Sequence, residues 1–206
     1  SELRRAVERA ELRVYYQPIV EASCGEVLGF EALVRWEHPE RGLISPIEFI
    51  PLAEESGTIL EIGKWVVQEA AANIERGHRQ LGLDSQVSVN ISPVQLNDDT
   101  LLNEWMDTIG ELSLPEKSLT MEITEGLLIK DSGKVKEWLL KFHRNNVEVS
   151  IDDFGTGFSS LSYLKSMPID VIKIDRSFIR DIPSDEDDIA ITTAIINMAH
   201  SLDIEV

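Results

Sequence analysis

Short aliphatic segments whose polar residues fall on alternate positions constrain this chain more than any other feature. Side chains alternate across a β-strand, so residues two apart share a face. In Val87-Ser88-Val89-Asn90-Ile91 the odd positions are aliphatic, while Ser88 and Asn90 look the other way. Leu119-Thr120-Met121-Glu122-Ile123 repeats the arrangement, and Val147-Glu148-Val149-Ser150-Ile151-Asp152 sets Ser150 and Asp152 opposite Val147, Val149 and Ile151. Ile172 and Ile174 then oppose Lys173 and Asp175. A strand buried on both faces reads as a nearly continuous aliphatic run. These strands instead predict one apolar face for helices and one hydrophilic face that converges on something charged.

The length of 206 residues suits one sizeable domain, since α/β barrels often exceed 200 residues as single domains. No segment approaches 18 uncharged apolar residues, and Ser1-Glu2-Leu3-Arg4-Arg5 lacks a hydrophobic secretion core. Those features predict a soluble cytoplasmic protein, or a cytoplasmic domain of a larger one, with no membrane contact. Cys24 is a single cysteine and cannot form an internal disulfide. The four histidines show no His-Glu-x-x-His spacing, which argues against zinc in a nitrogen or sulfur cage. With 19 basic against 37 acidic residues the net charge is −18, the wrong sign for binding a DNA or RNA duplex. If the ligand is a phosphate, cations must recruit it.

The order of elements is that of a parallel α/β fold. A helix is expected over 2–10, strands near 13–20 and 26–36, and a tight turn at Ser23-Cys24-Gly25 that makes those two strands antiparallel. Ser45-Pro46-Ile47-Glu48 reads as a capping box that opens a helix, and a second helix is expected over 58–80. Strand 86–91, helix 98–110, strand 118–123, helix 133–145, strand 147–152, a short irregular helix at 159–166, strand 170–175 and helix 185–202 follow. Ile204-Glu205-Val206 reads as the start of a seventh strand. The acidic run Asp185-Glu186-Asp187-Asp188 suits a helix amino terminus, where negative charge complements the dipole.

Glu31, Asn90, Glu122 and the pair Asp152-Asp153 suggest a divalent metal, because Mg²⁺ and Mn²⁺ prefer oxygen donors. Adjacent carboxylates can serve two ions about 4 Å apart. Any one of these residues alone reads better as a solvated strand end; matching facing on several strands is what points to a metal. Asp152-Asp153-Phe154-Gly155-Thr156-Gly157-Phe158-Ser159-Ser160 superficially resembles a dinucleotide fingerprint, with Asp175 downstream for a ribose. Ser160 in place of the third glycine, Pro168 in the crossover and two carboxylates before the loop oppose that reading. A glycine-bearing loop that closes over a metal-bound phosphate fits better.

Glu31-Ala32-Leu33-Val34-Arg35-Trp36, Val89-Asn90-Ile91-Ser92, Met121-Glu122-Ile123-Thr124-Glu125, Asp152-Asp153-Phe154-Gly155-Thr156-Gly157 and Ile172-Lys173-Ile174-Asp175 occur in the order of the EAL-domain family. Tyr16-Gln17-Pro18 and Arg41-Gly42-Leu43-Ile44-Ser45-Pro46 are similar to that family too. The family comprises bacterial phosphodiesterases of cyclic di-GMP, and the resemblance runs over residues 1–206. It implies a modified TIM (β/α)8-type barrel whose first strand is antiparallel to the second, with the site at the carboxyl ends of the strands. It implies that Glu31, Asn90, Glu122 and Asp152 hold one Mg²⁺ or Mn²⁺, and that Asp152 and Asp153 contribute to a second. Lys173 would orient or activate the attacking water, and Glu125 would anchor the aspartate-pair loop. Gln17, Leu33, Arg35 and Asp175 would meet the substrate. The implied reaction is hydrolysis of cyclic di-GMP to the linear dinucleotide by a two-metal activated water.

The family pattern continues beyond the strand that begins at Ile204 into an Ala-Glu-Gly-Val-Glu segment, a helix, an eighth strand and a glutamine-bearing loop. The expectation is therefore a barrel incomplete at its C-terminal end, with impaired activity in the fragment. The implied partners are a second copy in a homodimer and sensory or GGDEF domains in the parent protein. The alternative reading is a non-catalytic EAL-like module that binds cyclic di-GMP or mediates dimerisation.

Overall fold

A computed structural model describes residues 2–82, 85–112, 114–130, 132–157 and 161–206. The chain divides into two compact units, residues 1–120 and 121–206.

In the first unit, helix α1 (Glu2–Glu8) leads into strand β1 (Leu12–Val20), which pairs antiparallel with β2 (Val27–His38). The expected antiparallel start is present, with Gln17 opposite Glu31 and Tyr15 opposite Leu33. A short strand β3 (Gly42–Ile44), which the sequence reading did not anticipate, folds back along β2. Parallel pairing follows between β2 and β4 (Gln86–Asn90), with Glu31 opposite Ser88. Helices α2 (Pro46–Ser56), α3 (Ile59–Leu81) and α4 (Asp99–Glu111) supply the apolar cover. On α3, Ile59, Ile62, Val66, Val67, Ala70, Ala71 and Ile74 are buried, the three-and-four spacing of a helix with one buried stripe.

α1 and the link that follows it are tied to β2 by polar side chains. The Trp36 indole N–H donates to Glu11 Oε2 at 3.0 Å. His38 Nδ1 accepts the backbone N–H groups of Glu40 and Arg41, so its hydrogen sits on Nε2, 3.2 Å from Glu2 Oε1.

The second unit contains most of β5 (Leu119–Thr124), then α5 (Leu127–Lys130), α6 (Ser132–Arg144), β6 (Glu148–Phe154), α7 (Leu161–Ser166), β7 (Val171–Ile174) and α8 (Glu186–Ser201). β6 and β7 are parallel, with an irregular register between Ile151 and Phe154. Val135, Trp138, Leu139 and Phe142 of α6 and Val149, Ile151 and Ile172 of the strands form its core. Glu205 pairs in parallel with Val171, and Ile172 N–H donates to the Glu205 carbonyl at 2.8 Å, as the strand reading of 204–206 requires.

Three further details differ from the sequence reading. Ser45 precedes α2 without a side-chain cap bond, and Glu48 reaches Arg41 at 3.2 Å instead of closing a capping box. The sequence form was right for a helix start, but a cationic partner won the glutamate. α5 was not anticipated, and the start of the helix expected at 159–166, with Phe158, Ser159 and Ser160, lies outside the described residues. Finally, Ser88, Thr120 and Ser150 are buried although they share faces with Asn90, Glu122 and Asp152. Period two assigns facing, not exposure; small hydroxyl side chains pack inside, and the residues two positions later bring a carboxamide at Asn90 and carboxylates at Glu122 and Asp152. At α8 the acidic run does cap the helix, with Asp185 accepting from the N–H groups of Asp187 and Asp188.

Candidate functional site

In the first unit the β1–β2 register places Gln17, Glu31, Leu33 and Arg35 on one face, since Gln17 opposes Glu31 and the other three are two apart along β2. Asn90 ends β4, and its Nδ2 donates to Glu31 Oε1 at 2.8 Å. An amide whose N–H₂ is committed to a carboxylate presents its Oδ1 as an acceptor, which is the orientation a cation ligand needs. Arg35 Nη1 donates to the Val34 carbonyl at 3.0 Å, and its Cζ stands 6.0 Å from the centre of the Tyr15 ring. The sequence reading missed Tyr15; its position two residues before Gln17, diagonal to Arg35, was the available signal.

In the second unit Glu122 is 2% exposed. Lys173 Nζ donates to Glu122 Oε2 at 2.8 Å and lies 3.3 Å from Asp152 Oδ1. A dehydrated carboxylate is costly without a charged partner, and the ammonium supplies one. Asp153 follows with φ of 54°, in the left-handed region. Strict alternation would have sent its side chain away from Asp152; the irregular register of β6 breaks that rule and sets its carboxyl beside Asp175. Partial burial, followed by the charges of Asp152 and Asp175, pushes the Asp153 carboxyl above the usual carboxylate range, against the pull of Lys173. Asp175 is held below that range by hydrogen bonds from Ser177, whose hydroxyl and N–H both reach Asp175 Oδ1.

Glu125, 3% exposed, fastens the loop after β6. Its Oε2 accepts the Gly155 N–H at 2.9 Å and the Gly157 N–H at 3.0 Å. Gly155 is required, since at φ 103° a Cβ there would meet the Phe178 ring at 2.7 Å, and a Cβ on Gly157 would crowd the Glu125 carboxyl carbon at 3.0 Å. These N–H groups face a carboxylate of the protein, which disposes of the dinucleotide-fingerprint reading in physical terms.

Among the described residues, no three His, Cys, Asp or Glu side chains stand close enough together to cage an ion by themselves. The donors that are present, carboxylates and one oriented amide oxygen, nonetheless match in kind the oxygen preference of Mg²⁺ and Mn²⁺. Among the described residues no helix is long and apolar enough to cross a membrane.

The EAL domain family model matches residues 1–206. The chain is 40% identical over 209 residues to the bifunctional diguanylate cyclase/cyclic di-GMP phosphodiesterase MucR of Pseudomonas aeruginosa, covering 100% of this chain and 30% of that protein. It is 39% identical over 206 residues to the cyclic di-GMP phosphodiesterase PdeR of Escherichia coli, covering 100% of this chain and 31% of that protein. The chain thus spans about a third of these relatives. A solved structure of the PaMucR phosphodiesterase in complex with c-di-GMP superposes with a TM-score of 0.93 at 40% identity, over 98% of this chain and 82% of that one. The fold class is the α/β, TIM-barrel-like fold of those domains. Strand pattern, loop anchor and these likenesses lead to one conclusion: the chain belongs to the EAL domain family.

Proposed function

We propose that this chain is the hydrolytic domain of a cytoplasmic cyclic di-GMP phosphodiesterase, which opens one phosphodiester bond to give the linear dinucleotide. The observation that carries the reading is the Lys173 ammonium held between Glu122 and Asp152, at 2.8 and 3.3 Å. Glu31 and Asn90, and Glu122 with Asp152 and Asp153, are the residues that would offer oxygen donors to Mg²⁺ or Mn²⁺. Such ions, when bound, supply Lewis-acid polarisation of phosphoryl oxygens and acidify water.

The chain's own groups do the remainder. Lys173 Nζ, fixed by its two carboxylates, hydrogen-bonds and orients the attacking water. The water oxygen forms the new bond to phosphorus as one phosphorus–ribose oxygen bond breaks; the proton the water gives up passes to solvent, and the departing oxygen takes one from solvent and leaves as a hydroxyl. Arg35, steadied over Tyr15, offers its planar fork to a phosphate, while Gln17, Leu33 and Asp175 contact the substrate. Glu125 keeps the Asp152-Asp153 loop in place. A second copy and sensory or GGDEF domains are the proposed protein partners.

The test is hydrolysis of cyclic di-GMP by the full-length protein with Mg²⁺ or Mn²⁺, followed by separation of the linear product. Binding without turnover would support a non-catalytic module instead. Neither binding nor turnover would overturn the reading altogether.

A further inference from the structure

The turn that follows Asn90 is fastened at points the proposed chemistry leaves unexplained. Ser92 lies two residues beyond Asn90; its Oγ donates to Glu54 Oε1 on α2 at 2.6 Å and accepts the Val94 N–H at 3.2 Å. The Ser92 N–H donates to Gln95 Oε1 at 2.7 Å, and Gln95 Nε2 donates to the Ile59 carbonyl at the start of α3 at 3.1 Å. Gln95 is 2% exposed with both ends of its amide engaged. Gly63 on α3 makes the room, because a Cβ there would stand 1.5 Å from Gln95 Nε2. A backbone bond from Gln95 N–H to the Ser92 carbonyl, at 3.0 Å, closes the turn.

The arrangement joins one short charge-assisted bond to a buried, fully engaged amide. Asn90 itself is exposed at the strand end, where a chain frays unless the residues beyond it are held. Ile91, buried next to it, anchors one face, and Ser92 anchors the other. The Asn90 amide must stay on Glu31 Oε1 at 2.8 Å for its oxygen to face a cation.

We propose that Glu54, acting through Ser92, is a positioning residue that holds Asn90 against Glu31 for divalent-cation binding, with Gln95 and Gly63 as the fixed backing of the brace. This rests on the assignment of Glu31 and Asn90 as metal donors. Partners of ligating side chains commonly govern metal affinity by about 10- to 100-fold. Glu54 does not touch substrate or ion in this scheme; it acts at one remove.

The test is a Mn²⁺ titration of the full-length protein, read by electron paramagnetic resonance, beside thermal unfolding in chelator. Ser92→Ala and Glu54→Ala weaken Mn²⁺ binding by about 10-fold, and Glu54→Gln, which keeps an acceptor and is the gentler change, weakens it less. Ser92→Thr keeps the hydroxyl and retains the wild-type affinity. The double variant Glu54→Ala with Ser92→Ala binds no worse than Ser92→Ala alone, because both changes remove the same bond. Lowered unfolding temperatures with unchanged Mn²⁺ affinity would reduce the brace to a structural feature and overturn the proposal, leaving the metal reading intact. A wild-type protein that binds no Mn²⁺ would overturn both.

Discussion

Lys173 donates through Nζ to Glu122 Oε2 at 2.8 Å, and the Glu122 side chain is 1% exposed against 30% for Lys173. The glutamate is therefore the dehydrated partner and the lysine its link to solvent. A carboxylate in that position needs positive charge whatever else binds near it.

Lys173→Ala in the full-length protein should accordingly have two separable effects. Turnover of cyclic di-GMP falls by about 10²- to 10³-fold, the range for loss of a preorganised hydrogen-bond donor at the reacting groups. Without metal the protein loses about 1–3 kcal/mol of stability, less than for a fully buried pair because Lys173 reaches water. Added Mn²⁺ restores stability but not turnover. Hydrolysis near the wild-type rate would remove Lys173 from the chemistry.

Glu125 offers a second test, since one oxygen atom receives both loop N–H groups. Glu125→Ala takes away that acceptor and should cost about 1–3 kcal/mol in urea unfolding, with faster amide exchange at Gly155 and Gly157. Gly157→Ala should mimic the effect by crowding the same carboxylate. Unchanged exchange at both glycines would show that the loop holds itself.

The raised Asp153 carboxyl gives a pH dependence whose sign can be worked out. A carboxyl raised on folding binds its proton more readily in the native state, so its ionisation disfavours folding as pH climbs through and above the ordinary carboxylate range. Asp175, lowered on folding, acts in the opposite sense: its contribution is present above the ordinary value and is lost as acid protonates it. In chelator, Asp153→Asn should raise the unfolding temperature at about pH 7 and change it little at about pH 3. Equal shifts at both pH values would mean that the charge of Asp153 is not the cause.

Much of the arrangement is legible in the chain because strands declare their facing locally. Val87 to Ile91 and Leu119 to Ile123 needed only period two to set Asn90 and Glu122 opposite the aliphatic core. Asp153 was not legible in that way, since alternation points it away from Asp152 and only an irregular register with a left-handed backbone brings it round. Ser92 and Glu54 lie 38 residues apart, and Gln95 reaches Ile59 across 36. Such bonds join loop to helix with no periodic trace in sequence. The Asp98 cap of α4, by contrast, is a local feature: its side chain accepts from Thr100 and Leu101 N–H groups just ahead.

Arg35 supplies the last test. It lies two and four residues beyond Leu33 and Glu31 on the same face of β2, with its guanidinium carbon 6.0 Å from the Tyr15 ring centre. Tyr15 is 46% exposed, so the pair sits where an anionic substrate can reach it. A guanidinium over an aromatic face gains about 0.5–1 kcal/mol at exposed sites, and its fork can grip two phosphate oxygens at once. Arg35→Lys preserves the charge while giving up both the flat contact and the fork. KM for cyclic di-GMP should therefore rise by about 10-fold, equivalent to about 1.4 kcal/mol, with a smaller fall in kcat. Tyr15→Leu should raise KM by less, because the fork remains and only its support is lost. An Arg35→Lys variant with unchanged KM and lowered kcat would place the arginine on the transition state instead of on substrate binding, and would overturn the role assigned to it here.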